Sequence, residues 1–333
     1  VTELAVALAR EFPDDTYALL SDQPVPMPER SPANLIRGPE PRDAVERRWW
    51  LWGIRRAIRQ TDAQLFHGTN FEVPYVGTTP AVLTIHDLSP WRDPSWHSDA
   101  NRVRHRTPWL VRLRRARMIL TVSEAVRRET IAHFGLSPDV VRAIPLAASS
   151  LFRPLPPTSP APPPFFLFVA TLEPRKNVAG LVEAWREARA ETKVDLVIAG
   201  RSRSDFAGIE PCEGLHLLGE VPEPELPRLY SDALAFVYPS HYEGFGLPVL
   251  EAMQCGCPVI ASHDPAVTEV AGGAAIHANG SHEIAEAMRA VASDPRLRNV
   301  LRGCGLRRAA AFSWGSTARA TRAVYSEVLT GNR

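Results

Sequence analysis

Residues 239–253 read P-S-H-Y-E-G-F-G-L-P-V-L-E-A-M, which sets two carboxylates, Glu243 and Glu251, on either side of a glycine-containing loop and the first turns of a helix. Gly244 and Gly246 allow close backbone approach and positive φ around Phe245, and Pro248 suits a first helical turn. Carboxylates so placed accept hydrogen bonds from sugar hydroxyls, and the loop N–H groups donate to sugar oxygens. Taken alone, Glu251 reads equally well as a carboxylate favoured by a helix dipole. A strand, E-G-F-G and then a second Glu eight positions on form a far more specific string.

A second group lies upstream. The strand F-F-L-F-V-A (165–170) runs into T-L-E-P-R-K-N and then a helix whose buried face is Val178, Leu181, Val182 and Trp185. A helix N-terminus offers unpaired N–H groups and about half a positive charge, which suits phosphate. Arg175 and Lys176 stand there, and the chain holds only two lysines, Lys176 and Lys193, among its 38 basic residues. By itself the pair is also what a solvated turn carries.

These residues need rigid elements behind them. Short apolar strands alternate with helical patterns throughout, the signature of parallel sheets with crossover helices. The first half offers a helix over Val1 to Arg10 with Val1, Leu4 and Leu8 on one face and Thr2 as its cap, then strands at Thr16–Leu20, Ala63–Phe66, Ala81–Ile85, Met118–Val122 and Val140–Ala143. The second offers strands at Phe165–Ala170, Val194–Ala199, Leu215–Leu218, Leu234–Tyr238, Pro258–Ala261 and Ala274–His277, and closing helices at Ser281–Ala292, Pro295–Phe312 and Ser316–Leu329. The proline-rich run 153–164 excludes helix and ladder and reads as a stiff linker. The expected organisation is two doubly wound α/β domains facing a central cleft: 1–152, the linker 153–164, a second domain over 165–315, and a last helix, 316–333, returning to the first. Ligands of open α/β sheets bind beyond the carboxyl ends of the strands, where both motifs fall.

With 38 basic and 37 acidic residues in 333, no global field calls for nucleic acid or an acidic partner. Cys212, Cys255, Cys257 and Cys304 lack zinc or disulfide spacing, and Cys255 and Cys257 read as helix-end packing; this usage fits a reducing cytoplasm. No run approaches the length of a membrane span, and no signal peptide opens the chain.

The two motifs together resemble the retaining glycosyltransferases of family 4, whose hallmark is two Glu separated by seven residues and preceded by an R-K pair after the first strand of the C-terminal domain. T-I-H-D-L (84–88), T-V-S-E-A-V-R-R-E (121–129), the stretch 216–233 and F-S-W (312–314) are similar to the same family. The resemblance implies the GT-B fold and a metal-independent, retaining transfer from a nucleotide-sugar donor, a substrate and not a cofactor, to a glycan or lipid-linked acceptor. By that resemblance Arg175 and Lys176 neutralise the donor diphosphate, and Glu251 holds the ribose. Glu243 with the backbone of Gly244, Phe245 and Gly246 holds the transferred sugar, and His86 faces the reacting centre from the N-terminal domain. Gly200, Arg201 and Val221 are expected at the nucleotide base, where none of them separates purine from pyrimidine. GDP-mannose is the first expectation, since T-I-H-D-L-S-P and A-V-T-E-V-A-G-G-A-A are most similar to mannosyl- and rhamnosyl-type transferases of bacterial surface polysaccharides; UDP-sugars stay open. No D-x-D pair follows a strand, so positive side chains and a helix dipole are expected to stabilise the leaving group.

Between Asn101 and Arg117 stand seven arginines, one histidine and no acid, with Trp109, Leu110, Val111 and Leu113 among them. Arg112, Arg114 and Arg115 are the expected contacts to a lipid-diphosphate acceptor or to anionic lipid at the inner face of the membrane, and a solvated helix face reads equally well. The run 47–56, R-R-W-W-L-W-G-I-R-R, carries the same two meanings. In the family a strand and a Gly-rich loop precede the helix that here begins at Val1, so an exposed sheet position and an altered acceptor site are expected. A nucleotide-sugar epimerase or sugar phosphorylase of the same architecture, and a non-catalytic nucleotide-sugar-binding chain, are the rival readings.

Overall fold

The computed structural model describes residues 1–28, 31–93, 96, 100–203, 206 and 208–331. In chain order its elements are α1 (Thr2–Glu11), β1 (Tyr17–Leu19), β2 (Leu35–Arg37), α2 (Ile54–Gln60), β3 (Phe66–Gly68), β4 (Ala81–Ile85), α3 (Ser89–Arg92), α4 (Asn101–Arg112), β5 (Met118–Thr121), α5 (Glu124–Phe134) and β6 (Val141–Ala143). There follow β7 (Phe165–Val169), α6 (Val178–Thr192), β8 (Asp195–Ala199), β9 (Leu215–Gly219), α7 (Leu226–Asp232), β10 (Ala235–Tyr238), α8 (Leu247–Gln254), β11 (Val259–Ala261), α9 (Pro265–Ala271), β12 (Ile276–His277), α10 (Gly280–Ser293), α11 (Pro295–Ala309) and α12 (Trp314–Thr330). The chain divides into two compact units, Val1–Leu146 with Ser313–Arg333, and Ala147–Phe312.

In unit 1, β3, β4, β5 and β6 form a parallel sheet in that order, and β1 pairs with β2 as a separate parallel ribbon. Every residue of β4 and β5 is buried, as parallel strands covered on both faces require. Among the described residues β1 and β3 are not paired, and a cavity of about 830 Å³ is lined by both, with Leu4, Ala5 and Leu8 of the first helix and Tyr325 of α12. The strand before β4 is Phe66–Gly68, not Ala63–Phe66, because Ala63 N still donates to Ile58 O and Asp62 sits at φ 49, so the helix exit consumes the expected start. The expectation did not include β2. In α1 Thr2 is not the cap, since Val1 occupies that position without a side-chain bond, and Val1 is 66% exposed while Leu8 is buried.

In unit 2 the sheet order is β12-β11-β10-β7-β8-β9, all parallel. The first strand, β7, pairs with the fourth, β10, so the direction of winding reverses between them. Both are wholly buried, as is the face Val178, Leu181, Val182 and Trp185 of α6.

The proline-rich segment belongs to unit 2 and is not a free linker. Leu155 N donates to Ser231 Oγ, Thr158 Oγ1 to Asp232, and Arg228 Nη1 to Pro156 O. Unit 2 also begins before residue 152, because Gln254 Nε2 donates to Ser149 O and Phe152 O at 2.8 and 2.7 Å. It ends at Phe312, because Ser313 Oγ caps α12, whose Ala318, Val324, Tyr325 and Val328 pack with Ala7, Leu8, Val82 and Leu120 of unit 1. Cys255 and Cys257 are buried just beyond α8, and burial pushes the Cys255 thiol up to about 12.

Candidate active site

Arg175 and Lys176 follow β7, and Glu243 follows β10, so the two motifs leave the sheet at the reversal point where open α/β sheets bind ligands. The first loop folds as a tight 3-10 turn, Pro174–Lys176, closed by Asn177 in the left-handed region at φ 53. The second loop is moored to it: His241 N donates to the Arg175 carbonyl at 2.9 Å.

Glu243 is the hub of this assembly. Its Oε1 accepts from Lys176 Nζ at 2.5 Å, Ser240 Oγ at 2.6 Å and Tyr238 Oη at 2.8 Å, and its Oε2 accepts from Arg175 Nη1 at 2.9 Å. Burial works against the charge of this carboxylate, but Lys176 and then Arg175 outweigh it and hold the group below the ordinary glutamate range. Burial pulls Lys176 down from the usual lysine range, with the Glu243 charge opposing. The outcome is a buried, hydrogen-bonded cluster of fixed charges, arranged before any ligand arrives.

Residues that the sequence did not single out complete the cluster. Glu173, 6% exposed, accepts from Arg175 Nη2 at 2.7 Å and Nε at 3.1 Å through Oε1, and from Arg203 Nη1 at 2.9 Å through Oε2. Asp264 at the start of α9 accepts from Ala266 N and Val267 N at 3.0 Å and from Glu243 N at 3.3 Å, and burial pushes its carboxyl up to about 6. The available signals were an acid two positions before Arg175 and D-P at a helix start, both common enough to pass unread.

Glu251 lies on α8 and accepts from Tyr230 Oη at 3.2 Å. Burial pushes it up to about 7. Tyr230, Phe236 and Tyr238 form a ring ladder with centroid separations of 5.3 and 5.5 Å, which connects its surroundings to those of Glu243. Gly246 caps α8 at φ +100, a conformation that favours glycine, while Phe245 is turned inward, edge-on to Phe312 at 5.9 Å. The Phe245 ring is therefore packed inside unit 2. Gly200 and Arg201 follow β8 and Val221 follows β9, so they sit beyond the neighbouring strands and not at the reversal point; Arg201 is exposed, and its carbonyl accepts from Leu172 N at 2.9 Å.

In unit 1, His86 follows β4 with Nε2 2.7 Å from the Thr69 carbonyl. A carbonyl only accepts, so Nε2 carries the proton and Nδ1 is the acceptor. Burial holds this imidazole below the ordinary histidine value. Arg112 and Arg114 are exposed, whereas Arg115 Nη2 donates to Gly77 O at 2.9 Å. Other arginines of the run are spent inside the unit: Arg102 pairs with the buried Glu72, and Arg106 Nη1 donates to Tyr75 Oη at 2.7 Å. Of the tryptophans, Trp49 is buried, Trp50 stacks on Tyr75 and Trp52 is 49% exposed. Among the described residues no helix is long and apolar enough to cross a membrane.

The family model described as Glycosyltransferase Family 4 matches residues 1–148, and that described as Glycosyl transferases group 1 matches residues 156–305. The O-antigen chain mannosyltransferase B of Escherichia coli is 36% identical over 279 residues, covering 78% of this chain and 73% of that protein. The serotype-specific mannosyltransferase WbdA of Escherichia coli is 28% identical over 262 residues, and the match spans 32% of its length. Among solved structures, sucrose-phosphate synthase from Thermosynechococcus elongatus has a similar fold, with a TM-score of 0.74 at 23% identity over 99% of this chain and 92% of that one. Two Rossmann-like units, a glutamate pair around E-G-F-G at a sheet reversal and matches across both halves lead to one assignment: the chain is a GT-B glycosyltransferase of family 4, group 1.

Proposed function

We propose that the chain transfers mannose from GDP-mannose to a polysaccharide or lipid-linked acceptor, with retention of anomeric configuration and without a metal ion. The observation that carries the donor site is the Glu243 hub, which fixes one carboxylate and two cations at the point where the sheet of unit 2 reverses. The choice of mannose is supported by the name of the 36% identical relative, an O-antigen chain mannosyltransferase.

In this reading Lys176 and the charge of Arg175 stabilise the diphosphate leaving group, so a bridging cation is not needed. Glu243 and the backbone of Gly244–Gly246 hold the transferred sugar, and Glu251 the ribose. Gly200, Arg201 and Val221 are assigned to the base side. His86 enters as a neutral imidazole that accepts at Nδ1. Retention follows same-face attack, in which the departing phosphate takes the acceptor proton and no protein carboxylate forms a bond to the sugar.

The reading is tested by incubating the chain with GDP-mannose, UDP-glucose and UDP-galactose and a mannosyl acceptor, then assigning the anomeric configuration of any product by NMR. Transfer only from a UDP-sugar would overturn the donor assignment, an inverted product the stereochemistry, and activity lost with EDTA and restored by manganese the metal independence.

A lipid-linked acceptor places the reaction at a membrane, and we assign that contact to α4, whose outward His105, Trp109 and Arg112 are exposed. Sedimentation with phosphatidylglycerol-containing vesicles but not with phosphatidylcholine vesicles is the expected result. Equal sedimentation with both would remove this part.

A further inference from the structure

The donor reading gives the diphosphate two cations, but the hydrogen bonds of Arg175 leave it little to give. A guanidinium has five N–H donors. Arg175 commits Nε and Nη2 to Glu173, and Nη1 to both the Tyr242 carbonyl at 2.7 Å and Glu243 at 2.9 Å. Four of its five donors are thereby directed at protein acceptors, and the side chain is only 11% exposed. Its carbonyl is also taken, by His241 N. Arg175 thus works as a strut between the loops after β7 and β10. Lys176, with two of three N–H donors on Tyr238 and Glu243, keeps one.

A diphosphate with a sugar leaving it develops charge on two phosphoryl groups, which one lysine N–H and a screened guanidinium do not match. The nearest further cation on the same ionic chain is Arg203. It is joined to Arg175 through Glu173, whose two oxygens each take one of the two guanidinium groups. It is also fixed by its backbone, because Leu172 N donates to Arg201 O, Arg203 N donates to Leu172 O at 3.2 Å, and Leu172 and Ser202 form a parallel bridge. Arg203 therefore rides on an extension of the β7 and β8 pairing, at the same carboxyl end of the sheet, with a side chain 21% exposed against 11% for Arg175.

Resting on the donor reading, we infer that Arg203 is the second cation that contacts the donor diphosphate, and that Glu173 is the residue that positions it. Glu173 limits the guanidinium to one side and sets its distance from Arg175, so that two like charges share one carboxylate and do not repel each other apart. A fixed fork of this kind matches phosphate oxygens better than a mobile side chain, since less freedom is lost on binding.

The test is calorimetric titration of the full chain with GDP, UDP and the nucleosides guanosine and uridine, for the wild type, Arg203→Ala, Glu173→Gln and Arg175→Gln, with thermal unfolding of each. The expected result is that Arg203→Ala weakens the diphosphate that the wild type binds by about 10- to 100-fold, the size of a lost charge-assisted hydrogen bond. The matching nucleoside keeps its affinity, which a merely structural role would not produce, whereas the thermal midpoint falls because the buried Glu173 loses one of its two cations. Glu173→Gln keeps an acceptor but loses the charge, so it should weaken the same diphosphate by a smaller factor of about 3 to 10. Arg175→Gln should show mainly in the midpoint.

Unchanged diphosphate affinity in Arg203→Ala, or parallel losses for diphosphate and nucleoside, would overturn the assignment while leaving the donor reading in place. Unchanged affinity in Glu173→Gln would remove the positioning role. A wild-type chain that binds neither diphosphate would sink the donor reading and this inference with it.

Discussion

Lys176 and Glu243 meet at 2.5 Å, each no more than a tenth exposed, although 67 positions separate them in the chain. The contact joins the two loops on either side of the sheet reversal, so whatever disturbs one residue leaves the other as a buried charge.

Lys176→Met should therefore cost stability as well as binding. Removing one partner of a buried ion pair typically costs 3–5 kcal/mol, and since Arg175, Tyr238 and Ser240 still donate to Glu243, about 3 kcal/mol is expected. Adding Glu243→Gln to the same chain should restore part of the loss, because no unpaired charge then remains. Urea unfolding of the wild type, both single variants and the double variant measures this coupling; additive losses would show that the pair is not a unit.

The two glutamates of the motif should fail differently. Glu251 has Tyr230 as its hydrogen-bond partner and is assigned to the ribose, so Glu251→Gln should raise KM with little change in kcat. Glu243→Gln removes a carboxylate next to the developing charge at the sugar and also loosens Lys176, so its loss should fall on kcat. Affinity for the bare nucleoside diphosphate separates them: it should fall more for Glu251→Gln, and an equal fall in both would mean that the roles are misassigned.

Stability should decline as pH rises toward neutrality on account of Glu251. Its carboxyl stands at about 7 in the folded chain against an ordinary 4.5, so between those values the folded state holds a proton that the unfolded state has lost. Its contribution is complete below the unfolded value and disappears as pH rises through the folded one, with a slope of at most about 1.4 kcal/mol per pH unit. Asp264, at about 6 against 3.8, acts in the same direction. Glu251→Gln should flatten the profile between about pH 5 and 7; an unchanged slope would place the titration elsewhere.

Gly200→Ala should be severely destabilising. Gly200 has φ +147, and a Cβ there would lie 1.7 Å from the Ala170 carbonyl oxygen, which belongs to a strand end and cannot retreat. A loss of more than about 4 kcal/mol, or failure to fold, is expected in thermal unfolding, and a wild-type midpoint would contradict it.

Much of this was legible in the residues. Strands such as Phe165–Val169 and Ala81–Ile85 announce themselves because both faces are covered and nearly every position is apolar, Thr84 being the exception. The motifs around Arg175 and Glu243 were visible because their spacing fixes them against strand ends. Their mutual pairing was not, since a contact across 67 residues depends on which strands become neighbours, and apolar runs do not carry that order. For the same reason the residues did not show that the donors of Arg175 are largely directed at Glu173, Tyr242 and Glu243. β2, three residues with one buried side chain, carried too little pattern to be read as a strand.

The space between β1 and β3 has a consequence for how unit 1 behaves in a test tube. Two strands there edge a common opening of about 830 Å³ and, among the described residues, do not pair across it, with Tyr17 and Phe66 both in its lining. Such edges are templates for any extended chain that reaches them. An extended segment seated in this opening would pair with β1 and β3, while the buried sheet of unit 2 stays as it is. Hydrogen exchange would then show Tyr17–Leu19 and Phe66–Gly68 slowing when such a segment is seated, with the strands around Glu243 unaffected.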